Sequence, residues 1–150
     1  MKERKTMPFD KNFVPALRFA VMSDIHIDDE DCIEEQRFAK ALDDLKNLCS
    51  SDERYSGFDA LVIVGDFASR GSEIQMRKVK KILDAGLPAD VRLIMTMASH
   101  EYMTDGEENA LRRFDEIFGL TPDTHAVING FDFILSLIHI SEPTRQEAIS

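Results

Sequence analysis

The stretch LRFAVMSDIH, residues 17–26, decides how the chain is read. Its first six positions, apolar apart from Arg18, form a short run with apolar residues on both faces, the pattern of a buried parallel strand, and the run then breaks into Ser23, Asp24 and His26. The same grammar returns twice. ALVIVGD, residues 60–66, is an apolar strand opening into Gly65-Asp66, and VRLIMTMASHE, residues 91–101, runs into Ala98, Ser99, His100 and Glu101.

Helical patterns separate these strands. Ile33, Phe38, Ala41, Leu42, Leu45 and Leu48 recur at near-helical spacing after the acidic stretch Asp28, Asp29, Glu30 and Asp31, which offers N-cap candidates. Ile74, Val79, Ile82 and Leu83 form a second stripe, opened by the capping-box pair Ser72 and Gln75 and closed by Gly86 and Pro88. Ala110, Leu111, Phe114, Ile117 and Phe118 form a third, with Thr104 and Glu107 as a further capping box and Gly119 as the stop. Asn129-Gly130 between two apolar runs predicts a tight hairpin. Alternating strands and helices followed by a hairpin predict an α/β layered sheet with right-handed crossovers.

Composition narrows the function. The chain has 150 residues, one domain's worth, with 43% hydrophobic and 31% charged residues, as in ordinary globular proteins. A formal net charge of -10 argues against a nucleic-acid partner held by a basic stripe. An anionic substrate then needs a local cation, and a divalent metal supplies one. Residues 1–11 carry Lys2, Arg4 and Lys5 without a following apolar segment of signal-peptide length, and no run is long enough to span a membrane, so a cytoplasmic location is expected. Cys32 and Cys49, both placed on the first helix, read as free thiols.

In open α/β sheets ligands bind beyond the carboxyl ends of the strands, so the three polar loops should meet in one crevice. They would bring Asp24 and His26, Asp66, and Ser99, His100 and Glu101 together. Two residues apart in an extended segment, Asp24 and His26 point to the same side and can touch one ion. Carboxylates and imidazoles in such a set suit divalent transition metals. Singly, each residue reads as a cap, a turn or a surface group. Arranged at three successive strand ends, they read as a site.

This set, Asp24-Ile25-His26, Gly65-Asp66 and Ala98-Ser99-His100-Glu101, resembles the calcineurin-like metallophosphoesterases, whose motifs run D-x-H, G-D and G-N-H-E or G-N-H-D. The resemblance spans about residues 17–134. It implies two divalent ions (Mn, Fe or Zn), with Asp24 and His26 on the first and Asp66 bridging both. Ser99 stands where the family has a metal-ligating asparagine, and Ala98 where it has glycine. By the same resemblance His100 contacts the phosphate and protonates the leaving group, and Arg70 aims at the phosphate. The implied reaction is hydrolysis of a phosphomonoester or phosphodiester by a metal-bound hydroxide, with the phosphoester as substrate. A binding or scaffold module that has lost part of its metal site is the alternative, on account of Ser99.

Residues 135–145, LSLIHISEPTR, resemble the translation of a transposon-type sequencing adapter. Two segments are therefore expected: residues 1–134 as a partial, N-terminal portion of the phosphoesterase domain, and residues 135–150 as a non-native tail. His139 is set aside as a ligand for that reason, and the chain as given is expected to be incomplete as a catalyst. His125, between a Pro-Asp turn and a strand, reads as structural.

Overall fold

A computed structural model describes residues 12–51, 53 and 57–137. The strands β1 (Phe19–Met22), β2 (Ala60–Val64) and β3 (Arg92–Thr96) alternate with the helices α1 (Ile33–Ser50) and α2 (Glu73–Gly86). A 3-10 turn (Ser99–Tyr102), helix α3 (Glu107–Phe118) and a hairpin of β4 (Thr124–Ile128) and β5 (Phe131–Leu135) follow. The expected α/β order is the one observed.

β1, β2 and β3 lie side by side in that order and all parallel, with Phe19 opposite Ala60 and Ala60 opposite Arg92. Parallel pairing in chain order puts all three carboxyl ends on one edge of the sheet, which is what brings the polar loops together. Leu61, Ile63 and Met95 share one core with Phe38 and Leu42 of α1, Met76, Val79 and Leu83 of α2, and Phe114 and Ile117 of α3. The helices therefore cover the same sheet face. Ile33, Leu48 and Ile74, placed on the apolar stripes by spacing, are instead exposed, whereas Met76 and Cys49 are buried.

One expectation for β1 is corrected. Its residues alternate rather than bury both faces: Ala20 and Met22 pack on the core, while Phe19 and Val21 remain 48% and 56% exposed. β1 is an edge strand with the helices on its other side, and the hairpin reaches it through one T-shaped contact, Phe133 on Phe19 at 5.2 Å.

The helix starts show where local and tertiary bonding compete. α2 forms the expected capping box, with the Ser72 hydroxyl accepting from the Gln75 amide. α1 starts after Cys32 with no side-chain cap. Its acidic neighbours turn to α2: the Gln75 amide donates to Asp28, the Ser72 hydroxyl to Asp29, and Lys78 meets the Glu30 carbonyl and Glu35, both at 2.8 Å. α3 starts after Gly106, at φ 85°, without the expected box, because the Thr104 hydroxyl donates to the Arg70 carbonyl at 2.6 Å. Gly119 ends α3 in the left-handed conformation, as expected.

The hairpin turns at Asn129 and Gly130, with φ 51° and 83°, and the Asn129 amide docks on the Ala16 carbonyl and Asp59, at the sheet end opposite the polar loops. His125 pairs across the strands with Asp132 at 2.6 Å. Cys49 is buried, and both cysteines are free. Leu135 closes β5, and Leu137 packs partly on the core with its amide on Asp123. Residues 138–150, including His139, lie outside the described residues. Among the described residues no helix is long and apolar enough to cross a membrane.

Candidate metal centre

Backbone pairing continues past β1 and β2. The His26 amide donates to the Asp66 carbonyl and the Ile27 amide to the Phe67 carbonyl, both at 3.0 Å, and the Ser69 amide returns to Ile27 at 2.9 Å. The Ser69 hydroxyl adds a bond to the His26 carbonyl at 3.0 Å. The first two loops are thus zipped along their length. Phe67 is fully buried, against Phe114 at 6.2 Å and Phe118 at 5.7 Å, and pins the second loop to α3. Truncating such an aromatic costs about 3–5 kcal/mol.

Asp24, His26 and Asp66 each bring one donor atom within 4.8 Å of the others, and this is the one such group of histidine, cysteine or acidic side chains among the described residues. His26 Nε2 stands 3.9 Å from Asp24 Oδ1. The convergence expected from the sequence is present, but its cause differs. The segment is not extended: Asp24, His26 and Asp66 sit at φ 55°, 53° and 50°. A left-handed backbone at a non-glycine residue costs about 1–3 kcal/mol and persists where surrounding bonds impose it. At His26 and Asp66 those bonds are the loop zipper and the third loop.

The third loop reaches Asp66 twice. The His100 amide donates to Asp66 Oδ1 at 3.2 Å, and the Asp66 amide donates to Glu101 Oε2 at 2.9 Å. Gly65, at φ 87°, lets the loops approach, since a side chain there would place its first carbon 2.8 Å from the Ala98 amide nitrogen. The His100 ring lies 4.7 Å from the His26 ring, edge on, so it borders the donor group. His100 Nδ1 is 2.8 Å from the Ser69 carbonyl. A carbonyl only accepts, so in the neutral ring Nδ1 carries the hydrogen and Nε2 is left as the acceptor.

The calcineurin-like phosphoesterase profile matches residues 17–145. The chain belongs to the calcineurin-like phosphoesterase family. The matched range includes the segment 135–145. A comparison with curated proteins returns no match. The family is one of hydrolases that bind divalent metals and act on phosphoesters.

The phosphoesterase donor set fits such an ion: two carboxylates and an imidazole are hard-to-intermediate ligands suited to Mn, Fe or Zn. Ser99 is exposed and opens the 3-10 turn beside His100. Arg70 is also exposed, and its backbone is fixed by Gln75, which accepts from its amide at 2.9 Å, and by Thr104.

Sequence reasoning gave Glu101 no task, although it is the last letter of the third motif. It is fully buried and accepts from the amides of Asp66, Ala68 and Ala98 at 2.9, 3.0 and 2.8 Å. Burial pushes its carboxyl above the ordinary range, against the pull of those three amides, and the neighbouring Asp66 carboxylate adds to the push. The Ser69 carbonyl was also missed, because a backbone group leaves no mark in a side-chain pattern.

Proposed function

We propose that the protein hydrolyses a phosphomonoester or phosphodiester, with Asp24, His26 and Asp66 holding a divalent metal ion. The observation that carries this reading is the convergence of those three donors, on strained backbone, beside an oriented histidine. Three left-handed residues in one donor group would be selected against by stability alone.

When bound, a divalent cation there lowers the pKa of water and offsets charge on the phosphoryl oxygens. Every other role falls to side chains of the chain. Asp66, fixed by the His100 amide and by Glu101, stands between the donors of the first loop and the third loop, which suits a bridge between two ions. Ser99 is the proposed further ligand for the second ion, its hydroxyl being a shorter and weaker donor than an amide carbonyl.

His100 presents Nε2, and when protonated it binds a phosphoryl oxygen and delivers a proton to the leaving oxygen. Arg70 extends from the same loop system, and its planar fork suits a phosphate.

Asp66→Asn is expected to abolish Mn2+-dependent hydrolysis of an aryl phosphate together with bound metal. His100→Ala is expected to lower turnover by about 10²–10⁴-fold while leaving metal content near wild type. Turnover of the 150-residue chain itself should be low, since three donors hold a single ion loosely, so metal content is the primary readout. Equal metal loss in both variants contradicts this division of roles, and full metal retention in Asp66→Asn favours a binding module.

A further inference from the structure

We propose that Glu101 is a positioning residue of the metal site, whose carboxylate ties three backbone amides so that Asp66 is held in reach of Asp24 and His26. The inference rests on the reading of those three residues as ligands.

The geometry uses both carboxyl oxygens as acceptors. Oε2 accepts from the amides of Asp66 and Ala98, and Oε1 accepts from the amide of Ala68. One side chain therefore spans the residue that supplies the ligand, the turn that follows it, and the first residue of the third loop. Glutamine offers one acceptor and one NH2 group, so in either orientation at least one amide faces a donor. The bonds Glu101 makes run to backbone amides and to no side chain of Asp24, His26 or Asp66. It acts through the backbone of Asp66.

Position, rather than bulk stability, is what these bonds control. The Asp66 amide they capture belongs to a residue at φ 50°, a conformation that the isolated loop would leave. Gly71, at φ 71°, makes the arrangement possible from the other side, because a side chain there would bring its first carbon 2.6 Å from the Glu101 Cα. A fully buried carboxylate is an expensive way to fill space, since transfer of an unpaired charge into the interior is strongly unfavourable. Its three charge-assisted bonds are what offset that cost.

The test compares Glu101→Gln with Leu83→Ala, a core truncation in α2 remote from the loops, both in the 150-residue chain at a temperature where circular dichroism shows each folded. Two readouts are taken. In metal-free protein, the ring resonances of His26 and His100 report the loop arrangement; they should shift in Glu101→Gln and stay in place in Leu83→Ala. With Mn2+ as probe, Glu101→Gln should bind about 10- to 100-fold more weakly, as losses of outer hydrogen-bond partners at metal sites do, and Leu83→Ala should bind as wild type. Wild-type ring resonances in Glu101→Gln overturn the proposal whatever the Mn2+ result. Failure of the ligand assignment shows separately, as Mn2+ binding by Asp66→Asn equal to that of the unsubstituted chain.

Discussion

Left-handed non-glycine residues occur at opposite ends of the sheet, for different reasons. At the hairpin, Asn129 adopts φ 51° beside Gly130, in the tight turn whose chemistry favours that pair. At the strand carboxyl ends, Asp24, His26 and Asp66 adopt nearly the same φ with Ile25, Ile27 and Phe67 after them, so no Asn-Gly turn accounts for it. The first case is settled by two adjacent residues. The second is imposed by three loops acting together, through the zipper between residues 26–27 and 66–69 and through His100 and Glu101. Strain borne by a donor group and held by distant partners is the mark of a site. The same dihedral in a turn is not.

The comparison breaks most visibly where the loops meet. Gly65→Ala forces a side chain against Ala98 at φ 87°, and should cost about 3–5 kcal/mol by combined strain and overpacking, read as a lowered midpoint in urea. The loop leading into α3 is held by Arg113, which donates to Asp105 at 2.9 and 2.7 Å. That guanidinium holds the Asp105 carboxyl below its ordinary 3.8. A depressed carboxylate contributes stability above its unfolded value and loses it as pH falls through the folded one. Wild type should therefore exceed Asp105→Asn in thermal stability at neutral pH, and the gap should close as pH falls below about 3.8.

Asp24→Gly sharpens the contrast by separating stability from function. Relief of the left-handed strain should raise stability by about 1 kcal/mol, a melting shift of about 2–4 °C, while metal binding weakens. A fall in both would mean the strain was misplaced. Asn129→Gly, in the turn, should change stability by less than about 1 kcal/mol, because relief of φ is offset by the loss of the bonds to Ala16 and Asp59.

Much of this was legible in the sequence because it depends on pattern. Apolar runs ending in polar residues marked three parallel strands and the end of the sheet where their polar loops meet. Asn129-Gly130 marked its own turn. What pattern could not show is competition for hydrogen bonds. Asp28 and Asp29 are good local caps, yet they bond to α2, and Thr104 bonds to Arg70 in place of its own helix. The exposure of Phe19 and Val21 depends on which elements stack on each face, and a short apolar run says nothing of that. Asp24 and His26 meet through left-handed backbone rather than strand alternation, so their convergence was expected from a rule that does not operate there.

The central claim is that Asp24, His26 and Asp66 act together as one ligand set. Titration of the metal-free chain with Mn2+, followed by the electron paramagnetic resonance of the free ion, tests it most directly. Saturable binding at one site is expected, weakened at least tenfold by Asp24→Asn, His26→Ala or Asp66→Asn alone, since loss of any one of three ligands leaves two. Binding that survives all three substitutions unchanged would contradict it.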